Sequence, residues 1–212
     1  MWYPDAYNDC MNSPYQAAED FLRALDSDWS QLIDHVGTCK FTTKSERDPY
    51  ESLVRAVAYQ QLSTKAGDAI LKKLLNHYGR FPAPQHLIAT SFDDLRAVGF
   101  SGRKIETLYG IANAAISGLV PAQVIAENMS NETLIQQITT IKGIGQWTVE
   151  MMLMFTLARM DVLPADDFGI LEGYKRLKKL ETAPKRKEMA EIAQAWSPYR
   201  TVASWYLWQV PK

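Results

Sequence analysis

Apolar residues recur along this chain at intervals of three and four, and almost nowhere at intervals of two. Residues 14–25 place Ala18, Phe21, Leu22 and Leu25 on one helix face, and residues 29–36 carry Leu32, Ile33 and Val36. After the start signal Asp48-Pro49, a stripe of Leu53, Val54, Val57 and Ala58 predicts a third helix. Ser63-Thr64 ends it and caps the next, which runs through Ala66, Ile70, Leu74 and Leu75 and stops at Gly79. Further helices are expected at about 84–89, 92–97, 102–117 and 121–126. A pair at 131–140 and 146–159 is joined by the short turn Lys142-Gly143-Ile144-Gly145. Beyond a break at Pro164 come helices at about 167–180, 184–195 and 198–208. Phe41-Thr42-Thr43 is the only β-branched patch, so the pattern predicts an all-α chain of about ten to twelve helices, arranged as two helical lobes with a groove.

Composition narrows the class without naming a function. The 212 residues suit one domain, or two small lobes sharing a core. No apolar run approaches the roughly 18–20 residues of a membrane helix, and Met1-Trp2-Tyr3-Pro4-Asp5 does not read as a signal peptide. Cys10 and Cys39 are too few for a disulfide scaffold or a four-cysteine cluster, so an intracellular, metal-independent protein is expected. The net charge of −1 argues neither for nor against a nucleic-acid partner. Two basic runs, Lys175-Arg176 with Lys178-Lys179, and Lys185-Arg186-Lys187, read equally as solvated helix faces or as DNA contacts.

The turn between residues 142 and 145 carries the most specific chemistry. Two glycines in four residues permit a tight reversal and a close backbone approach to a ligand. The following helix starts with N–H groups suited to a phosphate, drawing in Gly143, Ile144, Gly145, Gln146 and Thr148. A second glycine-rich turn, Gly99 to Lys104, opens another helix and adds Gly102 and Lys104 as weaker phosphate candidates.

Asp166 and Asp167 follow Pro164-Ala165 and precede an apolar helix. One aspartate suffices to cap that helix, and this role is assigned to Asp166. Asp167 is assigned to a reaction centre, where a carboxylate stabilises a developing sugar cation and activates water. Among the aromatic residues, core packing accounts for Trp196 and Trp205, while Trp147 and Trp208 are candidates for the wall of a base pocket. Gln61, at a helix end, is a candidate to fill the gap left when a base is withdrawn from a duplex.

Three segments together resemble the helix-hairpin-helix, Gly/Pro/Asp superfamily of DNA glycosylases: Ile141 to Thr148, Asp161 to Asp167, and Pro49 to Ser63. Within it the chain is similar to the 3-methyladenine DNA glycosylase II branch, from about residue 45 to Trp208. The resemblance implies two lobes, about 50–158 and about 1–49 plus 159–212, acting as a single catalytic unit with the active site in the cleft. It also implies base flipping, with Asp167 as the catalytic acid, Gln61 as the wedge, and Trp147 and Trp208 in the pocket. A pocket tyrosine of a bacterial relative falls on Met151, a departure that bears on substrate range. The carbonyls of Thr139, Ile141 and Gly143 match places where relatives hold a Na+ or K+ ion. Since the chain begins with helices, it looks like the compact form, without the N-terminal β-rich domain of some relatives.

Relatives that also cut the strand carry a lysine where this chain has Trp147, which implies a monofunctional, water-using enzyme. Relatives with an iron–sulfur cluster carry four cysteines near the C-terminus, which this chain lacks. The expected partner is double-stranded DNA containing damaged bases, the expected state a monomer without a membrane contact. It is expected in the cytoplasm or nucleoid of a bacterium or the nucleus of a eukaryote. The expected activity is hydrolytic removal of alkylated purines of the 3-methyladenine and 7-methylguanine type. A methylated purine is cationic and leaves readily, consistent with no acid beside Asp167; His35, His77 and His86 all lie in the N-terminal half. Two alternatives stay open: a glycosylase for deaminated or oxidised bases, and a non-catalytic hairpin module. A helical interaction scaffold leaves Gly143 and Gly145 unexplained.

Overall fold

Serine and aspartate caps start seven of the thirteen α-helices among the described residues. In the computed structural model, which describes residues 13–211, Asp48 caps α3 (Pro49–Tyr59) and Ser63 caps α4 (Thr64–Tyr78). Between Ser13 and Phe41 lie α1 (Gln16–Arg23) and α2 (Ser27–Val36). After α4 come α5 (Pro84–Ala89), α6 (Phe92–Val98), α7 (Gly102–Ser117), α8 (Gln123–Ala126), α9 (Asn131–Ile138) and α10 (Gln146–Phe155). The chain ends with α11 (Phe168–Leu177), α12 (Arg186–Ile192), a 3-10 turn at Ala193–Trp196, and α13 (Arg200–Gln209). Among the described residues there is no strand, as the three-to-four spacing predicts. No helix among them is long and apolar enough to cross a membrane. Cys10 and the first five residues lie outside the described range.

The chain divides into two compact units. The central unit spans Thr42–Pro164, and the discontinuous unit joins the residues up to Phe41 to those from Ala165 onward. The sequence reading placed these divisions near 49 and 158. Residues 42–48 group with the central unit, where the Lys44 N–H donates to the Phe155 carbonyl at the end of α10.

In the central unit α7 is the hub, packing against α3, α5 and α6. Its Ile105, Leu108, Ile111 and Ala112 recur at helical spacing and are fully buried. Helix α10 packs on α3 and α9 and stops four residues earlier than its apolar pattern suggests. Ala158 takes a left-handed φ of 52°, and Arg159 N–H turns back to the Leu153 carbonyl, so a non-glycine residue does what a glycine usually does.

In the discontinuous unit α11 lies against α13, and both touch α2. A Cβ at Gly173 would stand 2.2 Å from the Leu207 carbonyl oxygen, so the backbones of α11 and α13 meet there directly. Trp196 is buried edge-on against Trp29 at 5.3 Å, a core residue as expected. Trp205 is only half-buried, in contrast to its assignment to the core, because α13 turns that face outward. Buried Cys39 has its thiol pushed up to about 12 by desolvation, so it is unreactive at neutral pH.

In the first basic run, Lys178 is taken up by two acids of its own unit. Lys178 bridges Asp26 at 2.6 Å and Asp28 at 2.8 Å, joining α11 to the start of α2. Burial alone would raise the Asp26 carboxyl, but bonds from Lys178 and from the Trp29 and Asp28 N–H groups hold it below its ordinary 3.8. A depressed carboxylate contributes stability above its unfolded value, and that contribution is lost as pH falls through the folded value. Lys178→Met is therefore expected to lower Tm by about 1–3 °C at neutral pH. The difference should shrink as pH falls below about 4. Thermal melts of both proteins across pH 3–7 check this, and a difference that persists unchanged into acid would remove the carboxylates from the account.

Candidate functional site

The central unit presents a hairpin between α9 and α10. Its turn folds inward through Ile141 and Ile144, both buried, with Ile144 N–H donating to the Ile141 carbonyl at 3.0 Å. Gly143 has a left-handed φ of 91°, and a Cβ there would stand 2.2 Å from Thr107 Oγ1. Gly110, one turn further along α7, would bring a Cβ to 3.3 Å from Ile141. Thr107 and Gly110 thus form the floor on which the turn rests, a role that no local pattern in the sequence signals.

Gly145 differs from Gly143 in kind. Its φ of −95° is ordinary, and a Cβ there would meet nothing within 4 Å. It starts α10 without a side-chain cap, whereas Asp48, Ser63, Ser91, Ser101 and Ser130 cap their helices in the same unit. Ile144 offers only backbone, because its side chain is buried. Thr148 is buried as well, and its N–H returns to the Gly145 carbonyl at 3.0 Å, so it fixes the helix start instead of facing outward. Gln146 Nε2 reaches Glu150 at 2.8 Å. Trp147 is 44% exposed, and Met151 lies one turn behind it on α10, half-buried.

The cation site implied for the hairpin draws on neutral carbonyl oxygens of one tight turn, which suit a hard monovalent ion. Of these, the Ile141 carbonyl accepts from Ile144 and the Gly143 carbonyl accepts from Gln60 Nε2 at 3.2 Å. A carbonyl has two lone pairs, so one hydrogen bond each is compatible with an ion, and the donor set fits. Among the described residues no three His, Cys, Asp or Glu side chains group to hold a metal.

Gln61 follows Gln60 with a left-handed φ of 56° and is exposed. Gly102 begins α7, whose N-terminus Ser101 caps through Lys104 N–H. The Lys104 ammonium reaches the Ala58 carbonyl at the end of α3 at 3.1 Å, and burial pushes its pKa below the ordinary lysine value. Lys104 thus joins α7 to α3 before it contributes to any surface.

In the discontinuous unit the capping role falls on the second aspartate, not on the first as the sequence suggested. Asp167, not Asp166, is the N-cap of α11: its Oδ1 accepts from Ile170 N–H at 2.9 Å. The cap must precede the first helical residue, and α11 begins at Phe168. Asp166 is exposed and pairs with Arg186 at 3.0 Å. The same Asp167 Oδ1 accepts a hydrogen bond from Trp208 Nε1 at 2.9 Å. A Cβ on Gly169 would press on Trp208 Cδ1 at 2.9 Å and on Asp167 Oδ1 at 3.1 Å, so glycine makes this pairing fit. A cavity of about 420 Å³ opens beside it, lined by Phe168, Gly169, Glu172, Arg176, Trp208 and Val210. Phe168 is 78% exposed and was not singled out from the sequence; its signal was an aromatic residue directly after the acid pair.

The family model for the HhH-GPD superfamily of base excision DNA repair proteins matches residues 54–198. DNA-3-methyladenine glycosylase 1 of Schizosaccharomyces pombe is 46% identical over 92% of this chain and 87% of its own. An alkylbase DNA glycosidase-like protein of the same organism is 37% identical, over 95% and 96% of the two chains. Among solved structures, the Schizosaccharomyces pombe 3-methyladenine DNA glycosylase in complex with abasic DNA superposes with a TM-score of 0.84 at 45% identity, covering 91% of this chain and 95% of that one. A DNA-3-methyladenine glycosidase from Bacillus halodurans gives 0.82 at 36%, covering 94% and 89%. With its helix-hairpin-helix and its family match, this chain belongs to the HhH-GPD superfamily of base excision DNA repair proteins.

Proposed function

We propose that this protein is a DNA glycosylase of base excision repair that hydrolyses the N-glycosidic bond of alkylated purines in duplex DNA. The near full-length similarity to a 3-methyladenine glycosylase carries this reading. Methylation at N3 of adenine or N7 of guanine places positive charge on the base, so bond breaking requires little acid catalysis. Asp167, oriented through Oδ1 by Trp208 and by the start of α11, stabilises the oxocarbenium-like sugar and orients or deprotonates the attacking water. Trp208, bonded to Asp167, offers an aromatic face to a cationic base, worth ~0.5–2 kcal/mol over a neutral one. A damaged base pairs weakly, so flipping it costs less.

The hairpin grips the DNA backbone at Gly143, Gly145 and the start of α10, where open space at the Gly145 Cβ position admits a phosphate. The carbonyls of Thr139, Ile141 and Gly143 would hold a monovalent cation, which supplies positive charge toward that phosphate. Gln61 fills the gap in the stack. With Trp147 at the position where strand-cutting relatives carry lysine, no amine attacks the sugar and water is the nucleophile. The enzyme works as a monomer.

Incubation with methylated duplex DNA, followed by chromatography of the released bases, tests the reading. Free 3-methyladenine or 7-methylguanine is expected, with the strand intact until alkali or heat is applied. Release of neither base sinks the alkylpurine assignment, and strand scission without treatment sinks the monofunctional one.

A further inference from the structure

We propose that Gln60 is a positioning residue that couples the Gln61 turn to the hairpin. The inference rests on the reading of both segments as DNA contacts. Gln60 terminates α3, and its Nε2 donates to the Gly143 carbonyl at 3.2 Å, across 83 residues of sequence. The Gly143–Ile144 peptide is therefore held at both edges, its carbonyl by Gln60 and its N–H by the Ile141 carbonyl. One residue later the chain enters the left-handed conformation at Gln61, which a glutamine adopts only where the surroundings impose it.

Those surroundings are present. Lys104 holds the Ala58 carbonyl one turn back, and the Tyr59 hydroxyl donates to Asp68 at 2.6 Å. The Tyr59 ring also covers Gly67, where a Cβ would stand 2.1 Å from its Cδ1, and Ser63 caps α4. The turn is anchored to α4 and α7 by these contacts, and to the hairpin by the Gln60 amide. That hydrogen bond is exposed to solvent, where water competes for both groups, so it contributes little to global stability. Its consequence is geometric. It fixes the separation of two elements that must act on the same duplex at the same moment, one gripping a phosphate and one entering the stack.

Gln60→Met keeps the length of the side chain and removes its donor. The variant should melt within about a degree of the wild type. In hydrogen–deuterium exchange of the free protein, amides of both 59–63 and 141–146 should exchange faster. The ratio of base release from methylated duplex to release from methylated single strands should fall about 3–10-fold, the factor expected for one lost hydrogen bond. If Gln60 acts by placing Gln61, the Gln60→Met/Gln61→Ala double variant should show no lower ratio than Gln61→Ala alone. Unchanged exchange at 141–146, or losses that multiply in the double variant, would overturn the coupling. Should the wild type release no methylated base, the glycosylase reading fails on its own, while exchange still decides whether Gln60 joins the two segments.

Discussion

Asp167→Asn is expected to slow base release by about 10²–10⁴-fold while leaving the fold intact. Asparagine is among the best N-cap residues, so its Oδ1 can still accept the Ile170 N–H that starts α11. The same amide oxygen can accept the Trp208 Nε1–H, so neither structural bond requires the charge. The charge itself is what a sugar cation needs, and an amide cannot take a proton from water. Asp167→Ala separates the two roles further, since it removes cap and charge together. It should add a loss of about 0.5–2 kcal/mol in stability to the same catalytic defect. Single-turnover release of 7-methylguanine, read beside thermal melts, checks both variants. Asparagine activity near the wild type would take Asp167 out of the chemistry and leave it only as the cap of α11.

That double role explains why the cap was placed on Asp166 from sequence, when Asp167 holds it. Counting two aspartates before a helix suggested one for each task, but a single carboxylate performs the capping and is also the one aligned by Trp208. Asp166, left over, pairs with Arg186 at the surface. Elements with local causes were legible: the Ser63 cap, the Asp48-Pro49 start and the Gly79 stop all act within a few residues of where they stand. The end of α10 was not, because no glycine marks it and Ala158 adopts the terminating conformation under tertiary constraint. What the candidate residues touch was not legible. Thr107 under Gly143, Gln60 on its carbonyl and Gly173 against α13 are pairings across long stretches of chain, to which helical periodicity is blind. The basic run at 175–179 illustrates the same point. Lys178 is taken up by Asp26 and Asp28, acids about 150 residues away in sequence, as no linear charge pattern could show.

The two hairpin glycines should fail in opposite ways when replaced by alanine. At Gly143 the backbone is left-handed and the new Cβ would collide with Thr107 Oγ1, on a buried side chain of α7. Strain and overpacking together should cost about 2–4 kcal/mol, a fall of about 5–15 °C in Tm. DNA binding would then be lost because the turn itself is displaced. At Gly145 the conformation suits any residue and the Cβ meets nothing within the protein. Alanine gains from a stiffer unfolded chain and loses as an N-cap, so stability should stay within about 1 kcal/mol of the wild type. Yet if the proposed phosphate contact lies at the start of α10, its methyl group would stand in the way, and affinity for an abasic duplex should fall about tenfold or more. Melting curves and fluorescence anisotropy on the two variants distinguish a glycine required by the fold from one required by the ligand. Wild-type affinity in Gly145→Ala would mean that no ligand backbone comes close there. An unchanged Tm in Gly143→Ala would mean that Thr107 yields without cost, and that the floor beneath the turn is softer than its packing implies.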